Sequence, residues 1–393
     1  MKNYGKILLV VMALVVVTAC SGRKHESGTL PDTVVENTGA DNRQAVFVDG
    51  VFRIATGGKY VISGEHVGQI FIEVTESDIV ELLLDDMALH NPNGPAIFAP
   101  RPQSVGLILA EGTINTISGA GRANTEINAT IYVRNDLTIS GDGSLTINSD
   151  HGHGIQAVAS IVMSGGTLEI TSERNGMTSN GSILIMDGAI RIPDSYEGIE
   201  GFNVTVTGGD IDIFARDDGI NARDSNEPTG GTRGRFGIND EMFVRIAGGN
   251  VRIHALRDGI DSNGNTFLEG GTLHISAPSL RFGDDAIDQD GFFLVTGGKL
   301  VTAGTVRSVS SHSTQPVIFF SHGRQIQNGS HIKVKDAVGH ILLEYTAQNA
   351  FSMSALTSPA FIAGETFIVH VNGERTGEVT IEGIITNAMA ERR

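Results

Sequence analysis

The chain has 393 residues and a formal net charge of −17, and it contains 50 glycines, 10 prolines and one cysteine. Such an acidic surface argues against nucleic acid as a partner and against electrostatic adhesion to anionic lipid. The single cysteine excludes an intramolecular disulfide. The glycine and proline content favours a turn-dense β architecture, and no stretch predicts a convincing amphipathic helix.

The N-terminus has the features of a bacterial lipoprotein signal. Two lysines precede an apolar run of 11 residues, 7–17, which is too short to span a bilayer as a permanent helix. Residues 17–20, Val-Thr-Ala-Cys, resemble a lipobox with cleavage before Cys20. We therefore expect residues 1–19 to be removed and Cys20 to be lipidated, so that the lipid alone anchors an extracytoplasmic protein to a bacterial membrane, at the cell surface or outer membrane. A plain secretory peptide with an incidental cysteine is the alternative.

The rest of the chain divides by composition. Residues 20–44 are polar and predict a flexible tether. Strand signals begin at Ala45, and we expect a repetitive β domain over 45–304. The repeat is lost after that point, which predicts a C-terminal β cap over 305–383 and a tail over 384–393.

A short motif recurs through the repetitive domain: a polar residue, a glycine or alanine, an apolar anchor, and a second polar residue. The apolar anchors are Ile155, Met177, Ile199, Ile220, Ile260 and Ile287. The first three intervals are 22, 22 and 21 residues, and the fourth, of 40, contains an insertion between Asn221 and Glu241. A period near 22 with short alternating strands between the anchors predicts a coiled β-solenoid.

Stacked units would turn these sequence positions into two columns. The first column precedes the motif glycine or alanine and consists of His153, Asn175, Glu197, Asp218, Asp258 and Asp285. The second column follows the anchor and consists of Gln156, Thr178, Glu200, Asn221, Asp261 and Asp288. Carboxylates about 5 Å apart repel by about 3 kcal/mol at an effective dielectric near 20. Raised pKa values, neighbouring arginines or a bound Ca²⁺ could each offset that repulsion.

Several stretches together resemble a bacterial family of secreted carbohydrate-binding β-helix proteins. They are Gly58–Gly64 (GKYVISG), Leu82–Asp86 (LLLDD), Gly94–Ile97 (GPAI), Glu111–Ser118 (EGTINTIS), the Asp-Gly-Ile corners and Ser358–Thr366 (SPAFIAGET). The resemblance covers roughly residues 45–372. It implies an all-β, right-handed parallel β-helix similar to pectate lyases, calcium at acidic corners, and binding of plant-type polysaccharide, including acidic sugars.

The resemblance also implies a set of metal ligands. Carried over by motif, they are Asp217, Asp218, Asn221, Asp258, Asp261, Asp284, Asp285 and Asp288. Glu197 and Glu200 fit less well, because aspartate or asparagine is expected at their positions.

Arginines near the acidic columns and in the insertion are the candidate ligands for an acidic sugar. They are Arg216, Arg223, Arg233, Arg235 and Arg257. The chain has no tryptophan and five tyrosines, so sugar binding is expected to depend on Ca²⁺-bridged carboxylates, arginines and hydrogen bonds.

These observations predict a monomeric, surface-anchored, calcium-dependent polysaccharide-binding protein. A calcium-dependent pectate-type lyase and a structural or adhesive solenoid without a sugar ligand remain alternatives. No catalytic residue is assigned, because no Ser-His-Asp order, cysteine nucleophile or phosphate loop is evident. Lysine is absent from residues 60–298, and an arginine is a poor base without special help.

Overall fold

The computed structural model describes residues 34–37, 46–120, 127–225, 239–278 and 283–391, which belong to one compact unit. Within these ranges every regular element is a β-strand, as the turn-rich composition predicts. The same ranges hold no helix of the length and apolarity needed to cross a membrane. Cys20, Arg233 and Arg235 lie outside the described residues, so the predictions made for them stay predictions.

The strands of the N-terminal third are β1 (Val34–Asn37), β2 (Val46–Val48), β3 (Val51–Ile54), β4 (Gly58–Val67), β5 (Gln69–Ile72), β6 (Ile79–Asn91), β7 (Ile97–Ala99), β8 (Ser104–Leu109), β9 (Ile114–Gly119), β10 (Ala129–Val133), β11 (Asp136–Gly141) and β12 (Ser144–Ser149). The strands of the regular repeats are β13 (His153–Ala157), β14 (Ile161–Ser172), β15 (Met177–Ser179), β16 (Ser182–Ser195), β17 (Ile199–Gly201), β18 (Asn203–Val206), β19 (Asp210–Ala215), β20 (Ile220–Ala222), β21 (Phe243–Ile246), β22 (Asn250–Ala255), β23 (Ile260–Ser262), β24 (Asn265–Leu268), β25 (Thr272–Ser276), β26 (Ile287–Gln289), β27 (Phe293–Val295) and β28 (Lys299–Ala303). The C-terminal strands are β29 (Val317–Ile326), β30 (His331–Lys335), β31 (Ile341–Thr346), β32 (Phe351–Thr357), β33 (Thr366–Val371), β34 (Glu374–Thr380) and β35 (Ile385–Met389).

The apolar anchors lie together in one sheet of 11 strands, which we call the anchor sheet. Its order is β2-β3-β5-β7-β10-β13-β15-β17-β20-β23-β26. Apart from the antiparallel pair β2–β3, neighbouring strands are parallel. The six anchors pair in the predicted order, from Ile155 with Met177 to Ile260 with Ile287. Ile70, Ile97 and Ile131 extend the same series toward the N-terminus.

The motif glycine permits this close stacking of strands. A Cβ at Gly219 would lie 2.5 Å from the carbonyl oxygen of Gly259 and 2.2 Å from Cγ2 of Ile253. A Cβ at Gly198 would lie 2.4 Å from the carbonyl oxygen of Gly219. A side chain at either position would therefore force adjacent units apart.

The remaining two strands of each unit also pair in parallel with their equivalents in the next unit. Ile183 pairs with Val204, for example, and Ile190 pairs with Ile211. Alternate residues of these strands are buried, as half-buried strands require. Their apolar side chains join the anchors in one core cluster that runs from Phe52 to Ala355.

Antiparallel strands cover both ends of the parallel ladders. At the N-terminal end β1 pairs antiparallel with β4. At the other end β32 pairs antiparallel with β28 and β29. Strands β31, β30, β33 and β34 form a separate antiparallel sheet, whose apolar side chains share a second cluster with residues of β28, β29 and β32. Covering the last strand removes a row of unpaired backbone groups, which is a recognised protection against aggregation.

Two segments differ from the predicted organisation. Val34–Asn37, inside the stretch expected to be a tether, forms β1, because its backbone groups pair antiparallel with β4 from Tyr60 to Ser63. Ile385–Met389, inside the stretch expected to be a tail, forms β35 and pairs in parallel with β29 from Val317 to Ser321. The other domain boundaries stay predictions.

Candidate metal centre

The two polar columns are formed by backbone pairing between successive units. In the second column Glu200 pairs with Asn221, Asn221 with Asp261, and Asp261 with Asp288. In the first column every carbonyl after that of His153 accepts a hydrogen bond from the motif glycine of the preceding unit, as Asp218 does from Gly198 at 3.0 Å. The side chains of one column therefore lie one strand spacing apart, about 4.8 Å.

Two groups of carboxylates converge where the columns are most acidic. The first consists of Glu197, Asp217 and Asp218, and the second of Asp218, Asp258 and Asp261. Within each group the contributing oxygen atoms lie within 4.8 Å of one another. Asp218 belongs to both groups, and it is buried, as is Asp258.

Burial and mutual repulsion disfavour ionisation in the second group. Burial, followed by the charges of Asp261, Asp217 and Asp258, raises the pKa of Asp218 to about 8. Burial also raises the pKa of Asp258 to about 7, and the charge of Asp261 adds to this effect. A hydrogen bond from the Asp285 amide to the Asp258 carboxylate, at 2.5 Å, opposes the rise without cancelling it. The neighbouring protein groups thus do not supply enough positive charge to keep all carboxyl groups of this cluster ionised at neutral pH.

A hydrogen bond between the neighbouring carboxyl groups of Glu197 and Glu200 reduces the repulsion between them. Burial and a hydrogen bond to Glu200 raise the pKa of Glu197 well above its usual value. Burial opposes ionisation of Glu200 as well, but its bond with Glu197 and the charge of Arg223 lower its pKa overall. Asn175 donates a hydrogen bond to Glu197 at 2.9 Å. Both glutamates lie in the columns as the repeat predicts, although the resemblance leads one to expect aspartate or asparagine at their positions.

Asn221 supplies an oxygen without a partner beside the carboxylates. Its side-chain nitrogen donates to Glu197 at 3.3 Å, whereas its Oδ1 atom is buried and accepts no hydrogen bond within the described residues. The residue is 5 % exposed. A buried amide oxygen left without a donor normally costs about 1–3 kcal/mol, so a donor or a cation is the expected partner.

An arginine that the sequence analysis did not select terminates the columns at their C-terminal end. Arg307 contacts the two carboxylate oxygens of Asp288 at 2.9 Å each and approaches Asp285 at 3.5 Å. Thr305 donates a hydrogen bond to Asp285. Where the acidic part of the columns begins, Arg223 lies 3.6 Å from Glu200. Val306 pairs in parallel with Ile287, so Thr305 and Arg307 flank one further anchor, which the sequence analysis missed because threonine stands where the motif has glycine or alanine.

The remaining predicted residues lie on the more exposed side of the first column. Arg257 donates from Nε to Asp284 at 2.8 Å and lies 3.9 Å from Asp217. Arg216, by contrast, donates to the carbonyl oxygens of Ser195, Ser172 and Glu173 and lies 3.3 Å from Asp194. Arg216 is thus held by backbone carbonyls, and the structure does not place it among the clustered carboxylates.

The N-terminal part of the second column is aromatic, which the sequence analysis missed. Phe71 pairs with Phe98 and Phe98 with Tyr132, and Tyr132 pairs with Gln156. The rings of Phe71 and Phe98 are stacked, with centroids 5.4 Å apart. The ring faces cover one another, so this stack is an element of packing and offers little open face to a ligand.

The fold and the site define an all-β protein of stacked parallel strands with an oxygen-rich corner that could hold a hard cation. The model of a family described as carbohydrate-binding domain-containing protein matches residues 48–241. A relative with the same description, from Acetivibrio thermocellus, is 27 % identical over 187 residues, which cover 42 % of this chain and 65 % of the relative. The chain thus spans less than two thirds of that relative's length.

A solved structure gives a further likeness. It is described as the structure of the polysaccharide lyase-like protein from C. thermocellum, gadolinium derivative, and it is 25 % identical with a TM-score of 0.50. The match covers 68 % of this chain and 94 % of the solved chain. The likeness agrees with the parallel β architecture and with the lyase-type fold that the sequence resemblance implied.

Proposed function

We propose that this protein is a calcium-dependent polysaccharide-binding module built on a right-handed parallel β-helix. The observation that carries the proposal is the cluster of Asp218, Asp258 and Asp261 beside the unpartnered Oδ1 of Asn221. Three clustered carboxylates, two of them buried, and the buried amide oxygen of Asn221, which pairs with Asp261, are the kinds of ligand that Ca²⁺ prefers, and main-chain carbonyls of the corner could supplement them. A cation here would offset the repulsion that otherwise raises the pKa values of Asp218 and Asp258.

The choice of a hard divalent cation is supported by chemistry and by likeness. The donors are all oxygen, and the chain contains no cysteine in the described residues that could favour a softer metal. The solved neighbour is described as a gadolinium derivative, and gadolinium is likewise a hard ion that prefers oxygen. The carbohydrate-binding description of the matching family model supports a sugar as the partner.

The contacts of Arg216 and Arg257 favour a protein that binds the polysaccharide without cleaving it. A β-eliminating lyase needs a base beside the cation to remove a proton from the sugar. The guanidinium of Arg216 is engaged by three carbonyl oxygens, the shortest contact being 2.7 Å, to Glu173. A hydrogen bond to Asp284 raises the pKa of Arg257 further, which makes it a weaker base. A calcium-dependent lyase therefore stays the second candidate, and an adhesive solenoid without a sugar ligand the third.

The location of the protein is part of the proposal. We infer from residues 17–20 that Cys20 is lipidated and that the folded unit is held at the outside of a bacterial membrane. Metabolic labelling with a fatty acid should mark the parent protein and leave Cys20→Ser unlabelled. Equal labelling of both proteins would contradict this part of the proposal.

The test of function combines calcium binding with polysaccharide retention. Calorimetric titration of metal-stripped protein with calcium should show binding that Asp258→Asn weakens at least tenfold, whereas Asp142→Asn, an equal charge change at an exposed turn, should not. Polygalacturonate in a native gel should retard the parent protein only when calcium is present. Ultraviolet absorbance during long incubation should show no unsaturated product.

Two outcomes would overturn the proposal. Absence of calcium binding by the parent would remove its basis, and steady formation of unsaturated product would make the protein a lyase.

A further inference from the structure

A partly exposed row of side chains runs beside the first column. Its members, Tyr196, Asp217 and Arg257, each directly precede a residue of that column. Backbone hydrogen bonds align them, since the Asp217 amide donates to Tyr196 at 2.8 Å and the Arg257 amide donates to Asp217 at 3.2 Å. We call these three residues the rim row. Because it is formed by consecutive units, Tyr196 and Arg257 lie two strand spacings apart, about 9–10 Å.

Tyr196 places an accessible aromatic ring at this rim. It is 49 % exposed, whereas Tyr60, Tyr132 and Tyr345, the other tyrosines in the described part of the chain, are buried. Its hydroxyl hydrogen-bonds to Asp217, and this bond, with burial, raises the pKa of Tyr196 to about 12. The hydroxyl is thus tied to a residue of the first carboxylate group, while about half of the residue's surface stays open to solvent.

Arg257 places an accessible positive charge at the other end of the row. Its side chain is 54 % exposed, and its bond to Asp284 uses Nε. Within the described residues no side chain or carbonyl accepts a hydrogen bond from its terminal nitrogens. A guanidinium in that state can bind a carboxylate through two parallel N–H groups.

We propose that Tyr196 and Arg257 form the subsite that binds an acidic polysaccharide, with one pyranose ring against Tyr196 and a uronate carboxylate on Arg257. The inference rests on the proposed function, because the cation held by Asp218, Asp258 and Asp261 would lie beside the rim row, whose residues Asp217 and Arg257 directly precede Asp218 and Asp258. Two strand spacings are comparable to the span of two linked pyranose rings. The protein carries a net charge of −17 and repels a polyanion elsewhere, so the cation and Arg257 together supply the local positive charge that the sugar requires.

The chain permits a direct spectroscopic test, because it has no tryptophan and Tyr196 is the exposed tyrosine of its described part. Full-length protein in calcium would be titrated with trigalacturonate and with cellotriose as a neutral probe, with binding followed by calorimetry and by the tyrosine absorbance difference spectrum. Trigalacturonate should perturb the tyrosine band of the parent protein. Tyr196→Phe should still bind the sugar but lose the spectral change. Tyr196→Ala should weaken trigalacturonate about tenfold.

The role of Arg257 is tested by comparing the binding of the charged and the neutral oligosaccharide. Arg257→Gln should weaken trigalacturonate about tenfold or more and leave any cellotriose binding within about twofold. Arg191→Gln is the matched control, because Arg191 is also exposed and ion-paired, with Glu169, but lies away from the rim row.

The outcomes separate this inference from the function on which it rests. Parent protein that binds calcium but no saccharide would overturn both the proposed function and the subsite. Parent protein that binds trigalacturonate while Tyr196→Phe keeps the full spectral change, or while Arg257→Gln and Arg191→Gln bind alike, would overturn the subsite alone.

Discussion

The second column carries two kinds of residue in one continuous register. Its N-terminal part is a stack of aromatic rings on β5, β7 and β10, and its C-terminal part is a stack of polar and acidic groups on β17, β20, β23 and β26. The same parallel pairing joins them, with Tyr132 opposite Gln156 at the transition. Because the strand spacing is the same in both parts, the difference between them comes from the side chains alone.

At that spacing the two parts have interaction energies of opposite sign. Ring centroids 5.4 Å and 5.6 Å apart join Phe98 to Phe71 and Tyr132, and such pairs stabilise a fold by about 0.5–1.5 kcal/mol each. Arg53 lies 5.1 Å from the Phe71 centroid and covers that end of the stack. Two carboxylates at the same separation instead repel by about 3 kcal/mol at an effective dielectric near 20. The aromatic part is stable by itself, whereas the acidic part depends on protons, arginines or a bound cation.

The residue before each anchor also differs between the two parts. In the acidic part the residue before each anchor is a glycine, such as Gly219, or at the last unit Ala286. In the aromatic part the equivalent residues are Gln69, Ala96 and Thr130, of which Ala96 and Thr130 are buried. Glycine thus accompanies the carboxylates, where it permits the carbonyl of the next unit to approach closely. The units lie equally close in the aromatic part, where the Ile70 amide donates to the Ala96 carbonyl and the Ala96 amide donates to the Thr130 carbonyl, both at 2.8 Å. The larger residues there are therefore accepted without a change of strand spacing.

The largest effect that should separate the two parts is a pH dependence confined to the acidic one. The pKa of Asp218 is raised to about 8 and that of Asp258 to about 7, from about 3.9 in an unfolded chain. A carboxyl with a higher pKa in the folded state binds more protons when folded, so its contribution is greatest at low pH and is lost as pH rises from about 4 to about 8. In chelator we expect the free energy of unfolding to fall by several kcal/mol, at about 1.4 kcal/mol per unit of pKa shift, between pH 5 and pH 9. Urea unfolding at a series of pH values measures it.

Calcium and one isosteric variant provide the controls for that prediction. A bound cation favours the ionised carboxylates, so saturating calcium should remove the loss of stability at high pH. Asp218→Asn removes a repelling charge, and it should therefore stabilise the protein in chelator at pH 8 while weakening its response to calcium. If the parent protein unfolds identically at pH 5 and pH 9 in chelator, the acidic part does not carry the repulsion described above.

Most of the fold follows from the regular repeat. Equal intervals of 22, 22 and 21 residues place equivalent positions in parallel register, and the anchors from Ile155 to Ile287 pair as predicted. The anchors Ile70 and Ile131 were missed, because Gln69 and Thr130 stand where the motif has glycine. Strands β1 and β35 were also missed, since short pairing segments at the ends of a chain carry no repeat.

The candidate site was predicted to the extent that it depends on the repeat. Both acidic columns could be read from sequence, because each position recurs at the motif. The charge balance could not, since Arg307 follows an anchor, Val306, that lacks the motif glycine, and the repeat does not show that its side chain forms an ion pair with Asp288. Likewise Arg216, close to the motif in sequence, is directed to backbone carbonyls by the local geometry of its corner. Sequence spacing predicts which residues share a column, but the direction of each side chain decides which charged groups come into contact.

The smallest effect that should separate the two parts is the loss of one ring from the aromatic stack. Phe98 is half-buried between Phe71 and Tyr132, so Phe98→Ala should lower the free energy of unfolding by about 2 kcal/mol, less than the 3–5 kcal/mol typical of a fully buried phenylalanine. Because this part holds no carboxylate column, the stabilisation by calcium should equal that of the parent protein, about 2.7 kcal/mol at a hundred times the dissociation constant. Urea unfolding with and without calcium measures both quantities, and Phe98→Leu, which keeps most of the volume, should lose less stability. A calcium response that disappears in Phe98→Ala would mean that the aromatic stack and the acidic columns act as one unit, against the independence argued from their separate side-chain energies.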